Sequence, residues 1–151
     1  MPRPKTSEEA YESCLCKGLI KPQEDADLNR ITSIIENSST DIEQAKRLAT
    51  ITPKDGKGWT TIFKIQYDAL RELAEAIALS DKANISNHQC LFAHICERHQ
   101  ELELDWGFLE KMRTKRNGIN YHGSTITYQE WKETELQMDL YAKTLRNDLT
   151  T

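Results

Sequence analysis

Apolar residues along this chain recur mostly at three- and four-residue intervals, the period at which side chains share one face of an α-helix. Leu28, Ile31, Ile34 and Ile35 predict a helix from about Asp25 to Asn37. Ser38-Ser39 reads as its break. Thr40, with Glu43 three residues on, reads as a capping box opening a second helix striped by Ile42, Ala45, Leu48 and Ala49. Thr52-Pro53-Lys54-Asp55-Gly56-Lys57-Gly58 interrupts the pattern with a proline and two glycines.

The strongest amphipathic stretch follows, from Trp59 to Leu79, with Ile62, Ile65, Ala69, Leu70, Leu73, Ala76 and Ile77 on one expected buried face. Ser86 and Gln89 form a further capping pair for a helix reaching Arg98. Phe108, Leu109 and Met112 mark another from Leu104 to Arg116, with Gly118 placed to end it in the left-handed conformation. Thr127 and Glu130 cap a last helix, Tyr128 to Leu149, striped by Trp131, Met138, Tyr141, Leu145 and Leu149. No strand pair is signalled. The expected fold is all-α, an antiparallel bundle of four to six helices. Residues 1–24 are read as an N-terminal arm, either a short helix or an ordered extension, and residues 25–151 as the helical domain.

Composition narrows this picture without changing it. A chain of 151 residues suits one core, and hydrophobic residues at 38% with charged residues at 29% are ordinary for a folded domain. No apolar run approaches the roughly 18 residues of a membrane helix, and the polar start does not read as a secretory signal. Cytoplasmic residence and no membrane association are the expectations. Cys14, Cys16, Cys90 and Cys96 are too few to read as a disulfide framework and are expected as buried small hydrophobes. Together with His99 they lack the paired spacing of common zinc sites, so neither metal nor cofactor is expected.

Net charge is −4, from 20 basic and 24 acidic residues, which argues weakly against a general nucleic-acid coat. Yet Lys111, Arg113, Lys115 and Arg116 lie within six residues that hold no acid. Such a run either offsets the dipole at a helix C-terminus or supplies a local field for an anion.

Its last residue opens Arg116-Asn117-Gly118-Ile119-Asn120-Tyr121-His122, in which Arg116 is expected in the last turn of one helix or just beyond and His122 in the loop leading to the next. Histidine can move a proton near neutral pH, and arginine can clamp phosphate oxygens, so the pair suits phosphodiester chemistry. An arginine, a polar residue and a histidine a few positions on, between two long C-terminal helices, resembles the signature of the HEPN family. The Trp59 helix and the Asn87-His88-Gln89-Cys90 helix start are also similar to archaeal and bacterial members, so the resemblance runs from about Asp25 to Leu149.

The resemblance implies a metal-independent endoribonuclease, the toxin of a toxin–antitoxin pair, acting as a homodimer whose two motifs face each other in one cleft. Arg116 would stabilise the scissile phosphate, Asn117 orient it, and His122 handle the 2′-hydroxyl proton, giving 2′,3′-cyclic phosphate ends. Lys111, Arg113, Lys115 and Tyr121 would contact RNA. Some members carry a tyrosine two positions after the histidine that a partner nucleotidyltransferase modifies. Here that position is Ser124. Other relatives are non-catalytic partners of a small nucleotidyltransferase, so the alternative expectation is a non-catalytic interaction or nucleotide-binding module partnering such an antitoxin, and a helical scaffold is a third.

The remaining motifs are read structurally. His88 is expected as a packing or hydrogen-bonding residue, and His94 as a core histidine with its hydrogen bonds satisfied. Trp59, Trp106 and Trp131 are expected as packing anchors. Lys54 to Gly58 lacks the preceding strand and the ending of a phosphate loop, so it is a linker.

Overall fold

Residues 3–151 are described by a computed structural model, so the first two residues of the expected arm lie outside it. Six helices carry the fold: α1 (Ser7–Cys16), α2 (Leu28–Ile51), α3 (Trp59–Ser80), α4 (His88–Arg98), α5 (Trp106–His122) and α6 (Tyr128–Thr150). A 3-10 turn, Gln100–Leu102, precedes α5. The expected all-α bundle is what forms. The sole departure among the described residues is a two-residue antiparallel ladder, β1 (Lys21–Pro22) on β2 (Ala83–Asn84), too short to be signalled by alternation.

Helix α3 is the axis of the bundle. Trp59, Phe63, Tyr67, Leu70, Leu73, Ile77 and, on another side, Ala69 and Ala76 are all at most 1% exposed. A helix buried on nearly all sides belongs at the centre of its domain. Against α3 pack α2, α6, α4 and α5, and α1 lies on α4.

Ser38-Ser39 does not break α2. Ser39 Oγ and Thr40 Oγ1 donate to the carbonyls of Ile35 and Glu36, one turn back, at 2.9 and 3.2 Å. Their hydroxyls are thus absorbed inside a continuous helix. The Thr40–Glu43 capping box therefore never forms, whereas the box at Thr127 and Glu130 does.

The arm contains a capped helix. Thr6 and Glu9 close a capping box at the start of α1. Ala10 and Cys14 are buried, and Cys14 is joined to Cys90 of α4 by a disulfide. This corrects the reading of both cysteines as free small hydrophobes. Their 76-residue separation hides a pairing that only the packing of α1 on α4 creates. Cys16 and Cys96 remain free, and burial pushes the Cys96 thiol up to about 12.

Candidate functional site

Helix α5 does not stop at Arg116. It runs through the whole motif to His122, and Gly123, not Gly118, takes the left-handed conformation at φ 64°. The N–H groups of Gly123 and Ser124 both reach back to the Gly118 carbonyl. Gly118 stays helical, and a Cβ there would lie 3.2 Å from Ser124 Oγ, close enough that the serine side chain would have to give by a few tenths of an ångström. The glycine nearer the basic run was the wrong stop signal; the two are indistinguishable without the loop that folds back.

A helical motif distributes its side chains around the axis. Residues six apart sit about 120° from each other, at roughly 100° per residue. Arg116 faces α3, where Nε and Nη2 lie 3.3 and 3.4 Å from the two carboxylate oxygens of Asp68, and Nη1 donates to Asn120 Oδ1. Its side chain is 15% exposed. His122 ends the helix in solvent, beside Tyr121, which is 77% exposed. Within one chain the structure does not bring Arg116 and His122 together.

Asn117 and His122 instead line one concavity, with Arg113. These three, Lys115, Gly118 and Ser124 border this concavity of about 560 Å³ between α5, its following loop and α6. Arg113 and Asn117 also border a second concavity, whose other wall is the start of α4: Ser86, Asn87, His88 and Gln89. Asn87, not Ser86, caps α4, its side chain accepting from Cys90 N at 3.0 Å.

Glu110 sets Arg113 in place with two hydrogen bonds of 2.8 and 2.9 Å, and Gln89 Nε2 donates to the same carboxylate at 2.8 Å. Burial, then the charges of Arg71 and Arg113, hold the His88 imidazole below its usual pKa against Asp68 and Glu75. A neutral ring can accept a proton or a hydrogen bond. Tyr67 lies behind it, ring centroids 6.4 Å apart. Its hydroxyl is buried without a partner, and burial raises its pKa to about 12 despite the charges of Arg113, Arg71 and Arg116. His88 packs by Tyr67, in keeping with its reading as a packing or hydrogen-bonding residue, and also lines this second wall. No sequence signal joins His88 to Arg113, since they meet only through the packing of α4 on α5.

The basic run is free of acid along the chain but not across space. Arg113 pairs with Glu110, Arg116 with Asp68, and Lys115 Nζ lies 3.0 Å from Glu130. Among the described residues only Lys111 of the four has no ion pair. It is exposed beside Trp106, whose indole donates to the Lys5 carbonyl at 2.9 Å. Trp59 and Trp131 are buried anchors whose indoles donate to the Pro53 carbonyl and Gln66 Oε1.

His94 is in the core, as its apolar neighbours suggest, with Nε2 bonded to Asp81 at 2.8 Å but Nδ1 buried without a partner. No family model, curated protein or solved structure matches this chain, so the site stands on its geometry.

Proposed function

We propose that this chain is a metal-independent endoribonuclease of the HEPN type, acting as a homodimer. In the same reading it is the toxin of a toxin–antitoxin pair, with a small nucleotidyltransferase as antitoxin. The carrying observation is the common concavity of Arg113, Asn117 and His122 at the end of α5.

These residues supply the needed chemistry. His122 takes the proton of the 2′-hydroxyl, and the 2′-oxygen forms its bond to phosphorus. The bond from phosphorus to the 5′-oxygen breaks, and that oxygen receives a proton from the second imidazole of the dimer. The ends are a 2′,3′-cyclic phosphate and a 5′-hydroxyl. Arginine charge and the Asn117 amide stabilise the phosphorane oxygens.

Helix length supports the dimer. Arg113 and His122 are nine residues apart, about 13 Å of helical rise, too far for both to hold one phosphate. A two-fold crossing of α5 with its copy sets His122 of one chain beside the Arg113–Asn117 segment of the other. Arg116, braced by Asp68, then fixes the helix face and adds charge at the edge of the cleft.

That brace favours a second reading. An arginine already occupied by a carboxylate and an amide suits a non-catalytic module, in which the α5 surface binds the nucleotidyltransferase and touches no RNA.

Cleavage of a structured RNA in EDTA by the wild-type chain, His122→Ala, Asn117→Ala and Arg116→Lys decides between them. The ribonuclease reading expects cyclic-phosphate ends and a fall of about 10²–10⁴-fold in rate for His122→Ala. No cleavage by folded wild-type dimer, or equal cleavage by His122→Ala, overturns it and leaves the partner-binding module.

A further inference from the structure

Away from the α5 concavities, three ligand-bearing side chains converge on one point. Asp81 closes α3, its N–H bonded to the Ile77 carbonyl, and Lys82 then turns the chain at φ 60°. That turn presents the Asp81 carboxylate to the far end of α4. There His94 Nε2 lies 2.8 Å and His99 Nε2 2.6 Å from the same oxygen, Asp81 Oδ2. The three ligand atoms all fall within 4.8 Å of one another.

We propose that Asp81, His94 and His99 bind one divalent transition-metal ion of the Zn²⁺ class, with solvent as its remaining ligand.

Two imidazole nitrogens and a carboxylate oxygen are a donor set that zinc and its neighbours accept, at bonds of about 2.0–2.2 Å. Tetrahedral ligands on such bonds stand about 3.3 Å apart, so each imidazole moves off the Asp81 oxygen by roughly 0.5–0.7 Å to take the ion. His99 has the partner that metal-bound histidines usually have: Glu101 Oε1 lies 3.3 Å from its Nδ1, fixing the ring with Nε2 toward Asp81. Accessibility is graded as an open site requires. His94 is 6% exposed at its side chain, whereas Asp81 and His99 are 27% and 17% exposed and leave a solvent side.

The site ties the C-terminal ends of α3 and α4, so binding energy is added to folding energy. It lies toward the opposite end of α4 from His88, with His94 about 9 Å and His99 about 16 Å away along the helix, and is independent of the ribonuclease reading.

Cobalt titration of the EDTA-treated full chain tests it. One equivalent of Co²⁺ is expected to give visible d–d absorption without a thiolate charge-transfer band, to be displaced by Zn²⁺, and to raise the melting temperature. Asp81→Asn and His99→Ala are expected to lose uptake, and Glu101→Gln to bind about tenfold or more weakly. Because these side chains also hydrogen-bond one another, a variant-free reading accompanies them. Long-range ¹H–¹⁵N spectra of the wild-type imidazoles should show Zn²⁺ moving the Nε2 signals of His94 and His99 and sparing those of His88 and His122. No uptake, a charge-transfer band that places the ion on Cys16 or Cys96, or unmoved His94 and His99 signals overturns the proposal.

Discussion

The guanidinium of Arg116 rests against the carboxylate of Asp68, 48 residues earlier in the chain, at 3.3 and 3.4 Å. This contact locks the middle of α5 to α3 and turns the first residue of the motif away from its last. Asp68 is 40% exposed, so solvent screens the pair, and a double-mutant cycle with Asp68→Asn and Arg116→Gln is expected to give a coupling of about 0.5–1 kcal/mol. Denaturant unfolding of the four proteins measures it, and a coupling indistinguishable from zero would reduce the contact to simple proximity.

The Cys14–Cys90 disulfide holds α1 on α4 and closes a loop of 76 residues. Loop-closure entropy at that length is worth about 4–5 kcal/mol, of which a disulfide typically delivers about 2–4 kcal/mol. Urea midpoints with and without reductant should differ accordingly, and Cys14→Ser should match the reduced wild type. Identical midpoints would mean that the packing of α1 suffices without the bond.

Asp139 on α6 is bridged by Lys143 at 3.1 Å and by Lys46 of α2 at 3.3 Å. Burial works to raise its pKa, but the two ammonium groups prevail and hold it below the ordinary value. A depressed folded pKa stabilises the protein above the unfolded value near 4, and that stability is lost as pH falls through the folded value. Melting temperature should therefore drop as pH falls below about 4, less steeply in Asp139→Asn. At pH 7 the variant should be up to about 1 kcal/mol less stable. Parallel pH profiles for the two proteins would remove Asp139 from the acid transition.

Gly123 sits at φ 64°, and a Cβ added there would meet no atom within 4 Å, so an alanine brings strain without a clash. Gly123→Ala is expected to cost about 1–2 kcal/mol, a few degrees in melting temperature. Gly118→Ala has the other mechanism, contact with Ser124 at 3.2 Å relieved by helix propensity. A melting temperature unchanged by Gly123→Ala would show that α5 can end elsewhere.

Periodicity located the helices well because each buries a stripe, and burial is written into the chain at intervals of three and four. Trp59 to Leu79 and Tyr128 to Leu149 were legible within a residue or two of their ends. Ser38-Ser39 misled because a hydroxyl that bonds its own helix and one that breaks it look alike in sequence. The capping box at Thr6 and Glu9 was also present to be read, though a polar first segment drew it into an arm.

By itself, then, the sequence determined the helical class, the position of the central helix and the presence of an Arg–His motif beside a basic run. These depend on neighbours a few residues apart, whose relation the helix repeat specifies. Only the tertiary structure decided that Arg116 faces Asp68, that Arg113 and Asn117 share walls with His88 and His122, that Cys14 meets Cys90, and that Asp81 collects His94 and His99. Most of those meetings join different helices. Their partners are chosen by how the buried stripes stack around α3, and no local spacing encodes that choice.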